Sequence, residues 1–173
     1  MRVFAVSDIH VDYAENLDWI LSLDAREFSE DVLILAGDVT DKMPLLRQVF
    51  DSLVACFKAV LFVPGNHELW VQDEDFDCSL TKFDAITELC KFCGVHADIF
   101  EMPDISFVPL FSWYDFSFGE PDRYLRRAWR DFRACSWPDH LSGARDVSDY
   151  FLNLNLEKLS TMNKTVISYS HFL

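Results

Sequence analysis

The chain has 173 residues, half of them apolar and 16 of them Phe, which is enough to bury one sizeable core and too apolar for a disordered segment. Against 15 Lys and Arg stand 29 Asp and Glu, a formal charge of -14 that repels polyanions and argues against broad contact with long nucleic acid or an anionic membrane surface. No apolar run approaches the length of a membrane span, the residues ahead of Ser7 are too few for a signal-peptide core, and five Cys form no regular framework; a soluble, cytoplasmic protein with reduced thiols is expected.

In chain order, residues 2–6 read as a short strand that delivers Asp8 and His10 at its carboxyl end. A helix is predicted after Asn16, with Leu17, Ile20 and Leu21 on one face and Asp18 in its first turn. The apolar run 31–36 is a buried strand, and Gly37-Asp38-Val39-Thr40-Asp41 follows at its end. Pro44 suits a first helical turn, and Leu46, Val49, Phe50, Leu53, Val54 and Phe57 make a one-sided stripe. The third strand, 59–63, ends in Pro64-Gly65-Asn66-His67-Glu68, where Pro and Gly break the pattern. The order βαβαβ predicts parallel strands with crossover helices, an α/β sandwich of layers.

A helix over 80–93, closed by Gly94, leads to two short strands within 99–110 joined by a turn at Met102-Pro103-Asp104, the start of a second sheet. Cys90 and Cys93 form a C-x-x-C in that helix with no second pair, which fits structural thiols better than zinc or redox chemistry. Residues 111–150 break the alternation and are dense in aromatics and Arg, so they read as a cap-like insertion within a single domain, 1–173. One helix is predicted there, with Leu125, Ala128, Trp129 and Phe132 on one face and Arg123, Arg126, Arg127, Arg130 and Arg133 on the other. That Arg face is either solvated and paired with the acidic remainder or an anion clamp. Trp113, Tyr114, Phe116 and Phe118 either pack the cap or stack on substrate. A last helix over 147–159 precedes a strand over 165–168 that ends at His171.

Four strand ends thus carry Asp8 and His10, Asp38 and Asp41, Asn66 and His67, and His171. In an open α/β sheet the crevice beyond the carboxyl ends of the strands is where ligands bind. Carboxylate, imidazole and amide oxygen together suit Mn, Fe or Zn rather than Ca or a thiolate zinc site. The donors exceed the needs of one ion. Two divalent ions explain the surplus, because a carboxylate such as Asp38 can bridge a pair about 3.5–4 Å apart. Taken singly the remaining histidines, His96 and His140, have no partner at motif spacing.

With these residues in order, the sequence resembles the calcineurin-like metallophosphoesterases, whose signature runs D-x-H, G-D-x-x-D, G-N-H-D or G-N-H-E, a His, and G-H-x-H. The matches are Asp8 to His10, Gly37 to Asp41, Gly65 to Glu68, and His171. The resemblance implies that Asp8 and His10 bind the first metal, Asp38 bridges, and Asn66 and His171 bind the second. It implies that His67 is the acid or charge stabiliser beside the leaving oxygen, with Asp41 orienting it or bracing the site. The implied activity is hydrolysis of a small phosphorylated substrate by a metal-bridging hydroxide, without a phosphoenzyme. Val11 and Lys42-Met43 depart from the Gly and Arg-Gly of the Ser/Thr protein phosphatase branch. No G-H-x-H occurs, since the sequence ends two residues after His171; the expectation is a domain lacking its C-terminal strands, with weak metal binding and impaired activity. The alternative is a non-catalytic protein-interaction module on the same fold. A glycine-rich nucleotide-binding loop has no matching motif.

Overall fold

The computed structural model describes residues 1–72, 75–159 and 164–172; Leu173, the last residue of the His171 stretch, lies outside them. Strands β1 (Val3–Val6), β2 (Val32–Leu35) and β3 (Ala59–Phe62) pair in that order and in parallel, with Val3 beside Val32 and Val32 beside Ala59. Between them run helices α1 (Ala14–Leu21), α2 (Ala25–Phe28) and α3 (Met43–Cys56), and α4 (Ser79–Cys93) follows. Every residue of β2 and β3 is buried, as continuous apolar runs in a parallel sheet require.

Alternation along these strands sorts the core into two layers. Leu33, Leu35, Val60 and Phe62 face the helices, meeting Leu46, Val49, Phe50 and Leu53 of α3. Val32, Ile34, Ala59 and Leu61 face the other way and meet Phe107 and Tyr169 of a second sheet. That sheet holds β4 (Phe100–Glu101), β5 (Ile105–Pro109) and β6 (Thr165–Tyr169), with β4 antiparallel and β6 parallel to β5. The result is the predicted layered α/β sandwich, with three strands in each sheet among the described residues. Among those residues no helix is long and apolar enough to cross a membrane.

Two predicted elements differ in detail. The first helix starts at Ala14, two residues ahead of Asn16, and Glu15 rather than Asp18 is the acid of its first turn. The Asn16 amide donates to the carbonyls of Ile9 (2.6 Å) and His10 (3.2 Å), so it braces the loop after β1. The single Arg-faced helix is two pieces, α5 (Arg123–Ala128) and α6 (Asp131–Ala134). Between them Trp129 has extended backbone, ψ 117°, and its indole N–H reaches Asp131 at 2.8 Å. The five Arg therefore share no common face. Arg126 lies 3.6 Å from Glu120, and Arg130 turns inward to Trp70 and Asp41.

A last helix, α7 (Ala144–Leu159), inserts Val147 and Phe151 into the main core beside Trp113. Trp113 packs edge-on against Trp137 and Phe172, and Phe116 stacks on Phe132 at 5.8 Å, whereas Phe118 is exposed. Cys90 is buried in α4 with its thiol pushed up in pKa by burial, a packing cysteine.

Candidate metal centre

The three strands of the first sheet end in one crevice because their backbones continue to pair past the ladder. Asp8 N–H donates to the Gly37 carbonyl (3.0 Å), His10 N–H to that of Asp38 (3.0 Å) and Val11 N–H to that of Val39 (2.9 Å). Buried Val11 and Val39 pin the two loops to the core, which leaves the side chains between them facing the crevice. Three of those residues hold left-handed backbone: Asp8 at φ 55°, His10 at 42° and Asp38 at 53°. Non-glycine residues adopt this region at a cost of about 1–3 kcal/mol each, and such strain gathers at functional sites.

Glycine is obligatory where the second and third loops touch. A Cβ on Gly37, whose φ is +81°, would lie 2.7 Å from the Gly65 Cα and 2.9 Å from the His171 ring; one on Gly65 would lie 2.8 Å from the Asp38 nitrogen. Glu68 ties the same two loops from beneath. Its fully buried carboxylate accepts four backbone N–H groups: Val39 (2.6 Å) and Thr40 (3.1 Å) on Oε1, Asp38 (2.9 Å) and Gly65 (2.7 Å) on Oε2. Burial first, and then the charge of Asp38, push its pKa up to about 7 against those four donors. The buried Lys82 ammonium of α4 adds a cross-brace by donating to the carbonyls of Asp41 and Trp70.

Asp8, Asp38, Asn66, His67 and His171 line one cavity of about 340 Å³, while His10, Asp41 and His67 line a neighbouring one of about 380 Å³. All seven residues singled out in the sequence therefore meet, with His67 at the border. Two groups could each hold a metal ion: Asp8, Asp38 and His171, and His10, Asp38 and His67, with ligand atoms within 4.8 Å of one another in each. Asp38 belongs to both. The donor set fits the ions named from sequence, being carboxylate and imidazole without thiolate. Asp8 falls in the group with His171, and His10 in the group with His67.

Tautomers follow from neighbours. His171 Nδ1 lies 2.8 Å from the Ala36 carbonyl, which only accepts, so Nδ1 carries the proton and Nε2 keeps its lone pair, 3.5 Å from Asp38 Oδ1. The His67 ring lies over Trp70, ring centres 3.6 Å apart, with Nε2 3.7 Å from Asp38 Oδ2. Burial lowers its pKa, and the Asp38 charge opposes that shift. Asp41 pairs with Arg130 at 3.8 Å, so the carboxylate nearest the His67 imidazole is that of Asp38.

Asp131 had no sequence signal: it lies in an Arg-rich run that reads as surface, yet it is buried against this site. Its Oδ1 accepts from Asn66 Nδ2 (3.0 Å) and Trp70 Nε1 (2.6 Å), and its Oδ2 from Tyr114 OH (2.9 Å) and Trp129 Nε1 (2.8 Å). Glu68 could have been found, as a charged residue that closes the Gly65 motif next to apolar Leu69 and Trp70.

Known proteins share both sequence and fold. Over 125 residues the chain is 32% identical to an [acyl-carrier-protein] phosphodiesterase, PptH, of Mycobacterium tuberculosis; the match takes in 67% of this chain and 38% of that protein. The chain thus spans well under half the length of this curated relative. The crystal structure of phosphopantetheinyl hydrolase (PptH) from M. tuberculosis superposes with a TM-score of 0.79 at 23% identity, over 99% of this chain and 68% of that one, which establishes the fold. The calcineurin-like phosphoesterase pattern matches residues 1–169. With motifs, fold and pattern in agreement, the chain belongs to the calcineurin-like phosphoesterase family.

Proposed function

We propose that this chain carries the catalytic centre of a metal-dependent phosphoester hydrolase with two divalent ions, Mn, Fe or Zn, that share Asp38. The observation behind the proposal is that Asp38 offers carboxylate oxygens within 4.8 Å of donor atoms on both sides, Asp8 and His171 on one and His10 on the other. The ligands are Asp8, His10, Asp38, Asn66 and His171. When bound, such a pair of ions lowers the pKa of water and neutralises phosphate oxygens.

The chain's own residues supply position and protons. Asp38 and Glu68 fix the loops that present the ligands, and the Ala36 carbonyl turns Nε2 of His171 toward Asp38. His67, its ring tilted 31° over Trp70 at the border of the two cavities, donates a proton to the leaving oxygen, a task suited to imidazole. Arg130 and Lys42 line the cavity beside His10 and hold anionic parts of a small phosphorylated substrate, while Asp41 braces Arg130. Residues 111–150 act as the cap of a single domain. The relative's name favours a phosphodiester over a monoester.

The test is turnover of an aryl phosphodiester and an aryl phosphomonoester by this chain with added Mn²⁺. Turnover that a chelator abolishes, with the diester preferred, is expected; turnover that survives chelation overturns the metal mechanism. His67→Asn is expected to keep its metal content and lose about ten-fold or more in turnover. Loss of metal instead would make His67 a ligand, as its place in the His10 group permits.

A further inference from the structure

Asn66 offers a metal only its carbonyl oxygen, because its nitrogen has no free lone pair. A side-chain amide can turn over, and the two faces are nearly equal in shape, so something must choose. In this fold the choice is made by an acceptor from outside the motif. Asn66 Nδ2 donates to Asp131 Oδ1 at 3.0 Å, and a carboxylate oxygen pairs with the nitrogen, never with the carbonyl. Both residues are buried, Asn66 7% and Asp131 3% exposed.

Asp131 is itself held on every side. Trp70 Nε1 shares Oδ1, and Tyr114 OH and Trp129 Nε1 occupy Oδ2, so the carboxylate accepts four hydrogen bonds and cannot rotate without losing some of them. Trp70 is also the residue on which His67 lies. One carboxylate from the segment between β5 and α7 thereby fixes the amide of Asn66 and the indole beneath His67.

We propose that Asp131 is a positioning residue that sets the flip of Asn66 so that its carbonyl oxygen faces the cavity shared with Asp8, Asp38 and His171. This rests on reading Asn66 as a metal ligand. Partners of this kind orient a ligand without touching the ion, and their loss costs about 10- to 100-fold in affinity or activity.

The experiment is Mn²⁺ titration of the full chain by calorimetry, for the unmodified protein, Asp131→Ala, Asn66→Ala and the double variant, with thermal unfolding of each. Asp131→Ala is expected to weaken binding about ten-fold or more, Asn66→Ala to weaken it at least as much, and the double variant to be no worse than Asn66→Ala. If Asn66→Ala weakens binding while Asp131→Ala does not, or if the two losses multiply, the positioning role is wrong and the ligand stands. If Asn66→Ala leaves affinity unchanged, both readings are wrong. Should Asp131→Ala not fold, proton exchange in the unmodified chain decides. The Asn66 side-chain amide is expected to exchange at least about ten-fold more slowly than that of exposed Asn153, and equal rates overturn the proposal.

Discussion

Replacing Glu68 by Gln is expected to destabilise the chain by about 2–6 kcal/mol, read from the midpoint of denaturant unfolding. The substitution keeps shape and volume, so packing is unchanged. What changes is one acceptor. All four partners of the carboxylate are backbone N–H donors, two on each oxygen. Glutamine presents one oxygen to two of them and an NH₂ group to the other two, which are then buried without an acceptor. Each such orphaned group costs about 1–3 kcal/mol, and two give the stated range. The same count predicts where the damage falls: Asp38 and Gly65 lie on opposite loops, and their nitrogens share Oε2. A variant within about 1 kcal/mol of the unmodified chain would show that these loops hold together without Glu68, against the hydrogen-bond geometry.

The crevice is legible in the sequence, while Asp131, which supports it, is not. Runs such as 32–36 and 59–63 are apolar throughout, and only a strand covered on both faces needs that, so sheet order and strand ends could be read directly. Asp38 and Asn66 followed, since a polar residue just past such a run has the crevice to face. Asp131 could not be found this way. Its neighbours Arg130 and Arg133 give the run a surface pattern, and burial is imposed by two indoles, a phenol and an amide from four distant or irregular positions. The split at Trp129 has the same origin: helical periodicity fits 123–133, but tertiary demand for the indole N–H at Asp131 overrides propensity. Asn16 shows the reverse case, a good cap residue by type whose amide donates instead to the carbonyls of Ile9 and His10.

Asp38→Asn is expected to abolish binding at both metal positions, whereas Asp8→Asn should impair only one. The two carboxylates sit in the same crevice, but Asp38 is in both donor groups and Asp8 in one. Removing the shared charge takes an anionic ligand from each ion and leaves the His10 imidazole on one side and Asp8 with His171 on the other. Losing the pair's charge stabilisation of the transition state, several kcal/mol, corresponds to about a thousand-fold in turnover at about 1.4 kcal/mol per factor of ten. Asn at this position also keeps one oxygen able to accept from the His67 N–H, now 3.0 Å from Asp38 Oδ1, so the backbone of the third loop should stay in place. Metal content after dialysis against Mn²⁺ separates the cases: about two ions per chain unmodified, one in Asp8→Asn and none in Asp38→Asn are expected on a two-ion site. Retention of one tightly held ion by Asp38→Asn would mean that the groups are independent and that Asp38 serves a single site. Loss of both ions from Asp8→Asn would mean that binding is cooperative, with the ion beside His171 needed to order the one beside His10.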